Sequence, residues 1–184
     1  MLTVGLTGDV GAGKSTLSKV WEEMGAAVID ADRVARDMWQ LPDVQKRASE
    51  RWGSDFFEDD QKSVFAKIAE KIFSDEREYE FVSDLLHPAT IAAIEEIVKN
   101  ADGWVVVEIP LLFECGRPKW MDFVVFASAS AEKRVERNAS RGWDAAEIKR
   151  SEWVLENSGT KEEWEAKARE LGNIFLEKER YSRS

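Results

Sequence analysis

The residues best suited to chemistry stand near the start of the chain. Gly8, Gly13, Lys14 and Ser15 satisfy the spacing GxxxxGKS within GDVGAGKST, with Gly11 and Ala12 inside the turn and Thr16 just after it. Glycines at these positions let the backbone take positive φ and turn its amide hydrogens toward phosphate oxygens, and a helix starting at the end of the turn adds a favourable dipole. The pattern assigns Lys14 to the β- and γ-phosphates of a nucleotide and Ser15 to Mg²⁺. A second feature is Asp30-Ala-Asp32, which ends a short apolar segment. A carboxylate at the carboxyl edge of a sheet, near a loop that grips a γ-phosphate, can take the proton of an attacking hydroxyl, and Asp32 is the choice for that base. The competing reading is that both aspartates cap the helix beginning at Arg33.

These groups need a strand before the loop and a helix after it, and the pattern supplies both. Leu2 to Leu6 is an apolar run ending at a glycine, and Leu17 to Met24 has helical spacing closed by Gly25. Ala26 to Ile29, Trp104 to Ile109 and Phe123 to Ala127 read as further strands, and a short apolar WVL at 153 to 155 precedes a charged helix from Lys161. Strands alternating with helices predict βαβ units, a parallel sheet and helices on both faces. Val34 to Asn100 has helical periodicity without a convincing strand and reads as a helical insertion.

The chain has 184 residues, enough for one substantial core with a small appended subdomain. Lysine and arginine number 26 against 36 acids, a formal charge of -10 that opposes nonspecific attraction to nucleic acid, so an anionic ligand must be held locally. The single cysteine, Cys115, excludes an intramolecular disulfide and a multi-cysteine metal site. The start of the chain shows neither a basic leader nor a cleavage pattern, and no apolar run reaches membrane-spanning length, so a cytoplasmic protein without membrane partners is expected. Eight tryptophans are read as packing residues. No NKxD guanine reader and no LSGGQ signature are present, which leaves a small-molecule kinase among the phosphate-loop classes.

The fuller pattern resembles the dephospho-coenzyme A kinase family. The matching pieces are GLTGDVGAGKST at 5 to 16, VIDADRVAR at 28 to 36, LLHP at 85 to 88, VEIPLLFE at 107 to 114 and ENSG at 156 to 159. The resemblance implies a three-layer α/β/α fold of the phosphate-loop NTP hydrolase type with a five-stranded parallel sheet, a helical coenzyme A domain and a short lid. Its expected boundaries within one domain of residues 1–184 are a core at 1–58, 100–130 and 151–184, a helical insertion at about 59–99 and a lid at about 131–150. The implied reaction is ATP-dependent phosphorylation of the ribose 3′-hydroxyl of dephospho-CoA, the last step of coenzyme A synthesis, with Mg²⁺ and with dephospho-CoA as small-molecule partner, by a monomer or weak oligomer. The alternatives are a kinase for another nucleotide or small alcohol, or a nucleotide-binding regulator without catalysis.

Residue by residue, the resemblance makes Asp32 the general base and places Arg36, His87, Pro88 and Glu114 at the acceptor. Glu108 stands where phosphate-loop proteins carry an acid that holds water on Mg²⁺. Arg137 and Arg141, in a basic segment that also holds Arg134 and Arg150, correspond to lid arginines that spread the charge of the transferring phosphoryl group. Asn157 and Gly159 match the NxG bordering an adenine pocket. Three departures carry expectations of their own. Asp9 replaces a usual glycine and adds repulsion inside the loop unless its side chain points away, Phe65 stands where the family has an arginine, and ENSG arrives early, which predicts a shortened lid.

Overall fold

The computed structural model describes residues 1–110, 112, 116–129 and 148–182. Among them, β1 (Leu2–Gly8), β2 (Ala27–Asp30), β3 (Trp104–Glu108), β4 (Phe123–Ala129) and β5 (Trp153–Asn157) form one sheet in the order β2-β3-β1-β4-β5, every pairing parallel. Helices among the described residues include α1 (Lys14–Glu23), α2 (Ala31–Met38), α3 (Pro42–Trp52), α4 (Gln61–Ser74), α5 (Glu76–Lys99) and α6 (Lys161–Ser182). The parallel α/β sheet expected from the alternation, with the five strands that the resemblance implies, is the one observed.

Several element ends move for local reasons. β2 starts after Ala26, whose N–H closes the end of α1 on the Trp21 carbonyl at 2.9 Å. β4 continues past Ala127 because Ser128 and Ala129 pair in register with Glu156 and Asn157. α1 begins at Lys14 rather than Leu17, and α2 begins at Ala31, so Asp32 falls within its first turn.

β1 leads through α1 to β2 on one side of the sheet, whereas β3 is followed by β4 on the other side of β1. The connections diverge at the carboxyl ends of β1 and β3, the place where open α/β sheets bind ligands. Among the described residues no helix is long and apolar enough to cross a membrane.

The chain divides into two compact units, Met1–Ala31 with Glu95–Ser184, and Asp32–Ile94. In the first, Leu2, Val4 and Leu6 of β1 pack with Leu17, Val20 and Trp21 of α1 and with Trp164, Ala168, Leu171 and Phe175 of α6. The Trp21 ring meets Trp104 and Phe175 edge to face at 6.2 and 5.9 Å, and its indole N–H donates to the Ala168 carbonyl at 2.8 Å, satisfying a buried polar group. Trp153 packs against Phe123 and Phe175 in the same cluster. On the opposite face, Met121 and Leu112 close over Gly5. The strands are therefore covered on both sides, as near-continuous apolar runs require.

The second unit has its own core, built on Trp39, Val44, Phe56, Val64, Ile68 and Leu85. Trp39 stacks on Trp52 at 5.8 Å. Glu78 pins the start of α5 to the end of α3: Arg51 donates to it through Nε and Nη2, and the Trp52 indole N–H donates at 2.7 Å. The Arg51 guanidinium lies 4.6 Å over the Phe81 ring. The Arg51 hydrogen bonds, and after them the Trp52 bond, hold the Glu78 carboxyl below the usual carboxylate range. A depressed folded-state pKa contributes stability above the unfolded value that disappears as pH falls through the folded one. Glu78→Gln is expected to lower the melting temperature by roughly 1–3 °C at pH 7. That gap between variant and wild type closes below about pH 4, which melting curves across pH will test.

Candidate active site

The loop between β1 and α1 is formed by backbone that only glycine tolerates at two points. Gly8 has φ 139°, and a Cβ there would overlap the carbonyl oxygen of Ala127 on β4. Gly13, the N-cap of α1, has φ 88° and ψ 27°, and a Cβ there would lie 2.7 Å from Trp164 Nε1 and 2.8 Å from Asn157 Nδ2. Left-handed Gly13 followed by helical Lys14 turns successive amides into an anion-binding concavity at a helix N-terminus. The Lys14 ammonium reaches back over the loop and donates to the carbonyls of Gly8 and Asp9, each at 3.0 Å.

Two side chains from the far end of the chain bond the same loop. Asn157, the last residue of β5, donates from Nδ2 to the Ala12 carbonyl at 3.0 Å, and Trp164 donates from Nε1 to the Gly13 carbonyl at 3.1 Å. Trp164 is positioned by a capping box: Thr160 N–H donates to Glu163 Oε2 at 2.8 Å and Glu163 N–H donates to Thr160 Oγ1 at 3.2 Å. Gly159 suits that turn, because a Cβ there would overlap the Glu163 carboxylate.

Asp9 is buried, and its carboxylate is turned to the end of β4, accepting from Ala129 N–H at 3.0 Å and from Ser128 Oγ at 3.4 Å. The acid inside the loop is a tie between β1 and β4. Of the two arrangements that the sequence allowed, the structure takes the one in which the side chain points away.

Glu108 ends β3, in register with Leu6 of β1 and Asp30 of β2. It accepts from the Ser18 hydroxyl at 3.0 Å, one turn along α1 from the exposed Ser15. Thr7 Oγ1 donates to the Pro110 carbonyl at 3.2 Å, fixing the backbone beyond β3 against β1. Among the described residues no three His, Cys, Asp or Glu side chains gather into a metal cage. A divalent ion here would draw on a hydroxyl, phosphate oxygens and water, which is how Mg²⁺ is usually held.

In the helical unit, Asp32 is exposed in the first turn of α2, where a carboxylate interacts favourably with the helix dipole, and Arg36 lies one turn further on the same face. The Arg36 guanidinium stands 5.8 Å over the Phe65 ring. Phe65 lines a cavity of about 150 Å³ together with Trp39, Gln45, Phe57, Asp59 and Val64. His87, half-buried, and Pro88, exposed, lie in the middle of α5, a helix that continues through the proline with Leu85 and Leu86 buried beside it. Pro88 removes one backbone donor without ending the helix. Glu114, Arg134, Arg137 and Arg141 lie outside the described residues, as does most of the expected lid. Arg150 is described and exposed.

The capping box was readable from Thr160-x-x-Glu163. The roles of Trp164, Ser18 and the turned-away Asp9 had no local signal.

A five-stranded parallel sheet with a glycine-rich phosphate cradle between its central strand and the following helix defines a phosphate-loop α/β protein. A profile of the dephospho-CoA kinase family matches residues 2–152. The chain is 32% identical to the dephospho-CoA kinase of Corynebacterium diphtheriae over 95% of this chain and 98% of that one. It is 35% identical to that of Deinococcus radiodurans over 85% and 84%. Among solved structures it is similar to a Thermus thermophilus protein, at 25% identity and a TM-score of 0.69 over 96% of this chain and 97% of the other. It shares its fold with the Campylobacter jejuni dephospho-CoA kinase, at 18% identity and a TM-score of 0.64 over 94% and 96%. The chain belongs to the dephospho-CoA kinase family.

The geometry of Asp9 makes a prediction. Asp9→Ala removes charge-assisted bonds at a buried site and is expected to cost on the order of 1–2 kcal/mol of stability in denaturant melts. It brings no gain in ADP affinity by calorimetry, whereas relief of a repulsive acid would appear as tighter binding.

Proposed function

We propose that this chain transfers the γ-phosphoryl group of ATP to the ribose 3′-hydroxyl of dephospho-CoA, giving CoA and ADP. The observation that carries the reading is the phosphate loop, with the Lys14 ammonium drawn over it, in a chain of this family. The loop, from Gly8 through Gly11, Ala12 and Gly13 to Thr16, holds the phosphates on its amides, and Lys14 counters the charge that develops on the β–γ bridging oxygen. Ser15 is the residue to hold Mg²⁺, with Glu108 behind it on a water. When bound, the ion would supply charge neutralisation for the phosphates.

In the transfer, the acceptor 3′-oxygen bonds to the γ-phosphorus as the bond from that phosphorus to the bridging oxygen breaks, leaving ADP. Asp32 takes the hydroxyl proton, and no covalent intermediate is needed. Arg36 beside Phe65, with His87, Pro88 and Glu114, is assigned to the acceptor, Arg137 and Arg141 to the migrating charge, and Asn157 with Gly159 to the nucleotide side. Holding both reactants in line supplies much of the acceleration.

The test is ADP release by purified protein with Mg·ATP, with and without dephospho-CoA, and the mass of the product. Acceptor-dependent ADP and a product heavier by one phosphate are expected. Transfer to a nucleoside monophosphate in preference to dephospho-CoA, or ATP binding without transfer, would overturn the assignment. Lys14→Ala and Asp32→Asn are each expected to lower kcat by about a hundredfold or more with melting temperature unchanged. Near-normal turnover in Asp32→Asn would remove Asp32 as the base.

A further inference from the structure

Glycine populates positive and negative φ with similar ease, so the backbone at Gly13 does not by itself fix which way its peptides face. In this protein the first turn of α1 holds the Gly13 carbonyl, and two donors outside the loop add to the hold on the Ala12 and Gly13 carbonyls. Asn157 Nδ2 bonds the Ala12 carbonyl and Trp164 Nε1 bonds the Gly13 carbonyl. No peptide bond described here is cis. A trans peptide carries its C=O and N–H on opposite sides, so the Gly13 amide faces away from Asn157 and the Lys14 amide faces away from Trp164. Because the Gly13 carbonyl lies in the helical bonding pattern of α1, the Lys14 amide points the way the first-turn amides of that helix point.

We propose that Trp164 is a positioning residue for nucleotide binding, its indole N–H holding the Gly13 peptide so that the Lys14 amide is presented to a phosphate before the nucleotide arrives. This inference rests on the nucleotide reading of the loop. The Gly13 carbonyl also accepts from Thr16 N–H at 3.1 Å and Leu17 N–H at 3.3 Å, so losing the indole bond loosens the peptide without releasing it from α1 and does not strand a buried acceptor. Trp164 can serve as a fixed point because it is itself held. It is 3% exposed, its backbone N–H donates to the Thr160 carbonyl at 3.0 Å, and Ala168, Leu171 and Phe175 of the same helix are buried against α1 and the sheet. Gly13 and Trp164 are also mutually dependent, since a side chain at 13 would meet the indole. A loop ordered in advance loses less freedom on binding, and the gain appears as affinity for phosphate.

Trp164→Phe keeps an aromatic ring and removes the donor. Calorimetry is expected to give ADP and inorganic tripolyphosphate affinities lower by a similar factor, roughly three- to tenfold. In steady state, KM for ATP rises by that factor while KM for dephospho-CoA stays at the wild-type value. A variant with wild-type ADP affinity, or one in which both KM values rise together with a fall in melting temperature, would reduce Trp164 to a packing residue. The wild-type protein offers an independent readout if the variant folds poorly. The Trp164 indole N–H signal in a ¹⁵N-labelled sample is expected to show slow hydrogen exchange that slows further on adding ADP. Exchange at that indole indifferent to ADP would overturn the proposal. Wild-type protein that binds no ADP would instead overturn the nucleotide reading itself, whatever the variant does.

Discussion

The structure depends on two carbonyl groups being held still. A chain with a formal charge of -10 repels a polyphosphate at long range, so the proposed nucleotide site relies on local groups, among them backbone dipoles aimed at one place and the Lys14 ammonium. The hydrogen bonds from Asn157 and Trp164 to Ala12 and Gly13 join the first turn of α1 in aiming them. Much of the first unit can be read as what places those two donors. β5 pairs with β4 through Ala129↔Asn157, which brings Asn157 to the carboxyl edge of the sheet. The Thr160–Glu163 capping box then starts α6 at once, and the aromatic cluster of Trp21, Trp104, Trp153 and Phe175 fixes α6 against the sheet. The abundance of tryptophan thus has a structural account for Trp21, Trp104, Trp153 and Trp164 here, and for Trp39 and Trp52 in the helical unit.

The acids near the loop are disposed so that they support it. Asp9 is turned to Ala129 and Ser128, so its charge is bound to donors of β4. Glu108 faces the Ser18 hydroxyl, one turn along α1 from Ser15. Placed this way, the two carboxylates set the loop's frame, one through β4 and the other through α1, while the Lys14 ammonium donates to the carbonyls of Gly8 and Asp9. A purely repulsive acid in a phosphate loop would be selected against on electrostatic grounds, and the geometry resolves why an aspartate is tolerated at position 9.

How much of this was legible in the sequence follows from the range of each interaction. Gly8, Gly13, Lys14 and Ser15 answer local demands of backbone conformation and helix start, so their spacing reveals them. The strands are legible because buried parallel strands are apolar runs, and their ends are less so, since β4 is prolonged only by its pairing with β5. Trp164 is not legible as a loop residue: its partner Gly13 lies 151 positions away, and on its own it is one more buried aromatic. The orientation of Asp9 is settled by an N–H 120 positions away, and sequence alone leaves both outcomes open. α5 runs through Pro88 at the loss of one backbone donor, with Leu85 and Leu86 buried beside it.

On the proposed reading the phosphate-binding amides are oriented before the nucleotide arrives, by the first turn of α1 together with bonds made from outside the loop. A crystal structure of the protein with Mg·ADP tests it most directly. The account predicts β-phosphate oxygens accepting from the Gly13 and Lys14 amides, with the Ala12 and Gly13 carbonyls still bonded to Asn157 and Trp164. A loop whose Gly13 peptide has turned over to meet the phosphate, with those two bonds broken, would contradict it.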